Sequence, residues 1–166
     1  EKWAVGDRMV AALLGGGTPE GVAEAERRRG TLPPGRLGDV ALDDIRVAAQ
    51  RVVDRARERR ASEPMTTDVT LSVGDGRRLT GRVTGLHGDT LVHVTYSSLN
   101  HKHALELWLD LLAVQAMRPA EEIRGVVVSK RGLGEIRPVD PELARSTLAA
   151  WARLRHDGLQ RLAHLP

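Results

Sequence analysis

The chain has 166 residues, enough for one domain with a substantial core, and its 25 basic residues only slightly exceed its 22 acidic ones. It contains no cysteine, which excludes disulfide bonds and thiolate metal sites. No apolar run is long enough to span a bilayer and no signal peptide is visible, so a cytoplasmic protein without membrane contact is expected.

The N-terminal part is predicted to be helical. Residues 3–14 form a first helix that ends at three consecutive glycines. A capping threonine followed by proline begins a second helix at Thr18, which ends at Gly30. Residues 31–38 are rich in proline and glycine and are predicted to be a loop. Apolar residues at helical spacing predict a third helix over residues 40–61.

The middle of the chain is predicted to form strands. Residues 67–73 alternate between polar and apolar side chains, as in a half-buried strand. Residues 74–76 make a glycine-rich hairpin turn, and the chain returns over residues 78–86. A further turn at residues 87–89 leads into a strand over residues 90–96. These elements predict a three-stranded antiparallel meander.

The C-terminal half combines long helices with two further strands. The helix over residues 101–117 is so apolar that it is expected to be buried on most sides. A strand over residues 124–130 follows, with a glycine turn and a possible return strand over residues 135–139. Asp140 followed by proline is a typical start for the last helix.

Positive charge is clustered in residues 27–29, 55–60 and 77–78. Such clusters attract nucleic acid even when the net charge is small, but arginine runs also lie on solvated helix faces. On the third helix, arginines at helical spacing have acidic partners three or four residues away, which favours a salt-bridged outer face over a DNA-contacting helix. The arginines are Arg51, Arg55 and Arg59, and the acids are Asp54 and Glu58.

The side chains in these patterns do not support catalysis, and neither a metal nor a cofactor is predicted. His101 and His103 do not share a helix face, and no carboxylate lies at metalloprotease spacing from them. Asp43 and Asp44 are expected in the first turn of a helix, where acids stabilise the helix dipole. The glycine-rich stretches match neither a phosphate-binding loop nor a dinucleotide fingerprint.

The order of elements between residues 79 and 112 resembles the core of a metal-dependent nuclease. In such nucleases one strand ends in an aspartate and the next carries an acid-x-lysine triplet. The corresponding positions here hold Thr84, Val94 and Tyr96. A divalent ion needs several converging oxygen ligands, which these positions do not supply. The resemblance therefore implies a binding or scaffolding module.

Two blocks carry a broader resemblance. Residues 30–39 read Gly-Thr-Leu-Pro-Pro-Gly-Arg-Leu-Gly-Asp, and residues 104–112 read Ala-Leu-Glu-Leu-Trp-Leu-Asp-Leu-Leu. Together with the order of the strands, these blocks resemble the C-terminal domain of RecC, the gamma subunit of exodeoxyribonuclease V, over essentially the whole chain. The arginine-rich, lysine-poor composition suits a high-GC bacterium, and the resemblance suggests an actinobacterial C-terminal piece of a larger protein.

This resemblance implies an α+β, α/β/α-like fold, namely a degenerate restriction-endonuclease-like (PD-(D/E)XK) fold whose antiparallel-led mixed sheet is flanked by helices. One nuclease-like domain would cover residues 1–166. It would have a helical lead-in over about 1–65, a strand core over 66–139 and a C-terminal helix over 140–166. The implied partners are RecB-like and RecD-like subunits and double-stranded or forked DNA.

Three functions remain open at this point. The first is a non-catalytic DNA-guiding and scaffolding domain, with basic turn residues contacting the DNA backbone. The second is a docking domain for partner subunits without DNA contact, and the third is an active nuclease whose metal ligands have moved. The candidate DNA contacts are Arg77, Arg78, Lys130 and Arg131, and the candidate moved ligands are Asp89, Glu106 and Asp110.

Overall fold

The computed structural model of the chain describes residues 2–162, and within this range the fold is mixed α+β with one five-stranded sheet. Residues 163–166, which were assigned to the last helix, lie outside the described residues. In chain order the elements are α1 (Lys2–Leu14), α2 (Pro19–Arg29), α3 (Arg36–Arg59), β1 (Met65–Ser72), β2 (Arg78–His87), β3 (Thr90–Val94), α4 (His101–Met117), β4 (Arg124–Ser129), β5 (Gly132–Ile136) and α5 (Pro141–Leu162).

Helix α2 begins and ends as its sequence predicts. The Thr18 side chain accepts a hydrogen bond from the Gly21 N–H, and Gly30 ends the helix in the left-handed conformation. Helix α3 starts earlier than predicted, because Gly35 adopts a positive φ of 68° and ends the loop there. Asp43 therefore lies well inside α3 and not in its first turn, which corrects the interpretation of the Asp43–Asp44 pair.

The sheet has the order β1-β2-β3-β4-β5, and only β3 and β4 pair in parallel. The predicted antiparallel meander of the first three strands is confirmed, as is an antiparallel-led mixed sheet. The last strand was predicted too late in the chain. Gly132 pairs with Ser129 and its carbonyl accepts a hydrogen bond from the Ser129 hydroxyl, so β5 begins directly after a two-residue turn.

Two cores lie on opposite faces of the sheet. In β4, Val126 and Val128 pack with α1 and α3, whereas Val127 packs with α4 and α5. The chain thus forms an α/β/α arrangement, because alternate residues of a strand point to opposite faces. Helix α4 is less enclosed than predicted: its C-terminal half is buried, but Leu105 near its start is 40% exposed.

Strand β2 separates from β3 at Gly85. Strands β2 and β3 pair only at Leu86–Leu91 and His87–Thr90. Gly85 has a φ of 84°, and the Val92 carbonyl oxygen lies 2.9 Å from the place of a Cβ, so only glycine fits without strain. Beyond this point the β1–β2 hairpin continues as a two-stranded arm. The strand directions place its turn, the β4–β5 turn and the start of α4 at the same end of the sheet.

None of the helices within residues 2–162 is both long enough and apolar enough to cross a membrane.

Candidate nucleic-acid interface

Two of the three positions that the nuclease resemblance singled out lie together. Thr84 and Val94 line a cavity of about 270 Å³ where β2 separates from β3. We call this the fork cavity. It is lined by Arg60, Thr84, Gly85, Val92, His93, Val94, Thr95, His103, Glu106 and Val127.

The third position, Tyr96, does not line the fork cavity. It is 4% exposed and its ring packs directly against Gly6 of α1, where no larger residue would fit. The Tyr96 N–H donates a 2.8 Å hydrogen bond to Asp7 Oδ1, which ties the end of β3 to α1. The position that the nuclease resemblance aligns with a catalytic lysine is therefore occupied by a residue of the core.

The three acids considered as moved ligands each have a different partner. Asp110 Oδ2 lies 3.1 Å from His93 Nε2, and Glu106 lies 3.8 Å from the Lys102 ammonium. Asp89 accepts a 2.8 Å hydrogen bond from the Thr90 hydroxyl. Within the described part of the chain, no three His, Asp or Glu side chains are grouped so that they could hold a metal ion.

The β4–β5 turn carries the first pair of basic candidates. The Lys130 ammonium lies 3.3 Å from the Tyr96 hydroxyl and 4.8 Å from the centre of its ring, so a cation–π contact positions it. Arg131 is exposed. Arg55 of α3 donates to the carbonyl oxygens of Ser129 and Lys130, each at 3.3 Å. Arg55 thus holds this turn, a role that its helical stripe did not predict.

The β1–β2 turn carries the second pair. Asp75, between two glycines of positive φ, itself has a φ of 52°, which gives a tight tip without an apolar side chain. Arg77 is half-buried and lies 4.0 Å from the Asp75 carboxylate. Arg78 is exposed at the first position of β2. Both arginines stand close to the tip, and only Arg78 is freely accessible.

The arginine cluster of α2 is largely paired and offers little free charge. Arg28 pairs with Glu24 at 3.2 Å, and Arg27 pairs with Asp39 at 3.1 Å. Arg29 donates a 2.6 Å hydrogen bond to Glu26, whose side chain is fully buried.

Glu26 joins α1, α2 and the loop that follows. Its carboxylate accepts two hydrogen bonds from Arg8, at 2.6 and 2.7 Å, and one each from Arg29 and Thr31. The hydrogen bonds from Arg8, foremost, lower the pKa of Glu26 to about 2 against the cost of burial. Within the basic cluster at residues 27–29, Arg29 thus contributes to this buried contact, whereas Arg27 and Arg28 make surface ion pairs.

Sequence reasoning did not single out Arg60, which follows the last residue of α3. Its side chain is half-buried on the fork cavity, and within residues 2–162 its Nε atom, like that of Arg59, is buried without a hydrogen-bond partner. Burial lowers the pKa of the Arg60 guanidinium from its usual value. No pattern in the sequence distinguishes it from Arg57 or Arg59, because its environment arises from β2, β3 and α4.

The chain is similar to a known protein family and to known proteins. The model of the RecC C-terminal domain matches residues 1–166. A protein named RecBCD enzyme subunit RecC from Mycolicibacterium smegmatis is 42% identical over 134 residues, covering 81% of this chain and 12% of that protein. A protein of the same name from Mycobacterium tuberculosis is 34% identical over 183 residues, covering 95% of this chain and 17% of that protein.

The chain spans less than a fifth of the length of these relatives. The family match nevertheless covers the whole of it, and the resemblance drawn from residues 30–39 and 104–112 is confirmed. The chain belongs to the RecC C-terminal domain family.

Proposed function

We propose that this chain is a non-catalytic DNA-guiding and scaffolding domain of a RecBCD-type helicase–nuclease that processes double-strand DNA ends for recombinational repair. The observation that carries the proposal is the common position of the basic turns. The turn with Arg77 and Arg78 and the turn with Lys130 and Arg131 lie at the same end of the sheet, the end at which β3 finishes with the degenerate position Val94. The relatives' name, RecBCD enzyme subunit RecC, points in the same direction.

The proposed fold is a degenerate restriction-endonuclease-like fold, forming one domain over residues 1–166. Helix α4 follows β3 and leads into a parallel neighbour, β4, as the nuclease resemblance requires. Thr84 and Val94 share one cavity although ten residues separate them in sequence. This juxtaposition is what two former catalytic positions would retain.

The proposed lack of activity rests on the chemistry of these positions. Hydrolysis with a divalent ion needs several oxygen ligands that converge on one point. Thr84 and Val94 provide no carboxylate, and Glu106, an acid that lines the cavity, is half-exposed and paired with Lys102. We expect no cleavage of DNA with magnesium or manganese. Metal-dependent cleavage that disappears in Asp110→Ala would show instead that the ligands have moved.

The proposed DNA contacts are made to the backbone. Arg78, Lys130 and Arg131 are exposed, and cations on turns reach phosphates without reading base sequence. Each neutralised phosphate releases counter-ions, so the affinity should fall steeply as salt rises. The hairpin tip lacks an aromatic or apolar side chain, so we assign it a guiding role and not that of a wedge between base pairs.

Fluorescence anisotropy of a forked duplex, titrated across salt, tests this proposal. The variant Arg77→Ala/Arg78→Ala should raise the Kd about tenfold and lower the slope of log K against log salt by about two. The matched control, Arg124→Ala/Arg137→Ala, removes two charges at the opposite end of the sheet. Equal losses of DNA affinity in the two double variants would mean that only the net charge of the chain matters. That result would contradict a specific path of the DNA along the basic turns.

The alternative is a domain that docks onto RecB-like and RecD-like subunits without DNA contact. Helix α5 favours it, because several large apolar side chains on this helix are exposed. Failure of the chain to bind the forked duplex at low salt would leave this alternative as the better account. The exposed residues are Leu143 (57%), Trp151 (41%), Leu154 (66%) and Leu159 (51%).

A further inference from the structure

The fork cavity contains a cation that lacks a partner within the described residues. The Arg60 backbone N–H caps α3 by bonding to the Arg57 carbonyl, but its Nε atom is buried and makes no hydrogen bond. Burial is the one cause that shifts the pKa of this guanidinium, and no carboxylate offsets it. A buried donor left unpaired destabilises the folded chain, so a ligand that accepts its hydrogen bond is bound more tightly.

A second unpartnered group and a free stretch of backbone face the same cavity. In the described part of the chain His103 Nδ1 is also buried without a partner, and His103 lies in the first turn of α4. The Thr95 N–H donates a hydrogen bond to the Val128 carbonyl oxygen in β4. Because successive residues of a strand direct their N–H groups to opposite sides, the Val94 N–H points toward β2. Pairing between β2 and β3 has already ended there, which leaves the Val94 N–H directed at the cavity.

The acids near the cavity are engaged elsewhere. Glu106 is half-exposed and lies 3.8 Å from the Lys102 ammonium. Asp7, close to Arg60 on the α1 side, accepts the Tyr96 N–H at 2.8 Å. The cavity volume of about 270 Å³ accommodates a tetrahedral oxyanion together with several waters, each of which takes about 30 Å³.

We propose that the fork cavity binds a phosphate group, with Arg60 as its counter-ion and His103 and the Val94 N–H as further donors. Arginine suits this task because its planar fork of N–H groups matches phosphate oxygens. The start of α4 adds a favourable helix dipole. This proposal names a ligand group for the DNA-guiding function. It rests on that function only for the source of the phosphate, which is either a DNA strand or free phosphate.

Titration with inorganic phosphate at constant ionic strength tests the site without DNA. Backbone amide NMR should show saturating shifts centred on Val94 and His103. Arg60→Gln should abolish the saturation. Arg59→Gln is the matched control, because it removes the same charge from a neighbouring residue whose Nε atom is likewise buried, but which pairs with Glu135 and does not line the cavity. It should retain the saturation.

A third variant should strengthen phosphate binding instead of weakening it. Glu106→Gln removes the one carboxylate that lines the cavity among the described residues and should tighten phosphate binding about threefold, since less repulsion remains. The proposal is wrong if the wild type shows no saturation up to about 50 mM phosphate, a concentration that detects even millimolar binding. It is equally wrong if Arg60→Gln and Arg59→Gln behave alike.

A DNA arm identifies the source of the phosphate. If it belongs to a strand, Arg60→Gln should weaken binding of a forked duplex about fivefold more than Arg59→Gln and lower the salt slope by about one. DNA affinity that is equal in the two variants, with phosphate saturation still lost in Arg60→Gln, assigns the cavity to free phosphate. If the wild type binds no DNA, the proposed guiding function is wrong. The phosphate titration would still show whether the fork cavity binds phosphate.

Discussion

Glu26 and Arg60 are two charged side chains withdrawn from solvent, and they differ in what surrounds them. Glu26 is fully buried and accepts hydrogen bonds from Arg8, Arg29 and Thr31. Arg60 is half-buried and its Nε atom has no partner. A satisfied buried charge holds elements together, whereas an unsatisfied one costs stability and indicates a ligand. The comparison thus separates a charge kept for the fold from one that serves binding.

The largest expected effect is on the satisfied charge. Glu26→Gln replaces a carboxylate by an amide that cannot accept all the arginine N–H groups, so the free energy of unfolding should fall by about 2 kcal/mol. The partners Arg8 and Arg29 are partly exposed and can return to water, which keeps the loss below that of a fully buried pair. Urea unfolding measures it.

Glu24→Gln on the same helix is the matched control for this substitution. Glu24 is half-exposed and pairs with Arg28 at the surface, so its loss should stay within about 0.5 kcal/mol. Equal losses at both positions would contradict the distinction between a satisfied buried charge and a surface pair.

The same carboxylate should make the free energy of unfolding depend on pH. The pKa of Glu26 is lowered from 4.5 to about 2 in the folded chain, so its contribution is fully present above pH 4.5 and is lost as pH falls toward 2. The difference in unfolding free energy between the wild type and Glu26→Gln should therefore narrow to less than about 0.5 kcal/mol near pH 2. Denaturant curves at several pH values measure this. A difference that is constant between pH 6 and 2 would exclude Glu26 as its source.

An intermediate case is Arg55, whose partners are carbonyl oxygens and not a carboxylate. Arg55→Ala removes two hydrogen bonds of 3.3 Å to the β4–β5 turn, so the free energy of unfolding should fall by about 1 kcal/mol. Hydrogen exchange of the Lys130 and Arg131 amides should become faster, since the turn loses its support. Arg51→Ala, an exposed residue one turn earlier, is the control and should leave exchange at the turn unchanged.

The sequence predicted most elements but not the environments of these charges. Thr18, Gly30 and the apolar pattern of α4 are local signals, and α2 and α4 were located from them. Glu26 and Glu24 both lie within α2 near arginines, and the approach of Arg8 from α1 and of Thr31 from the following loop distinguishes Glu26. Likewise Arg60 acquires its role where β2 leaves β3 at Gly85. Such environments depend on long-range packing, which periodicity and capping signals do not encode.

The smallest expected effect on stability is at Arg60, and it completes the comparison. Arg60→Gln removes a partly desolvated charge that has no protein partner, so the free energy of unfolding should stay within about 0.5 kcal/mol of the wild type or rise slightly. Urea unfolding without phosphate measures this, and added phosphate should then stabilise the wild type but not the variant. A clear loss of stability in the phosphate-free variant would mean that Arg60 supports the fold, as Glu26 does. A stable variant that no longer responds to phosphate would identify Arg60 as a residue kept for its ligand.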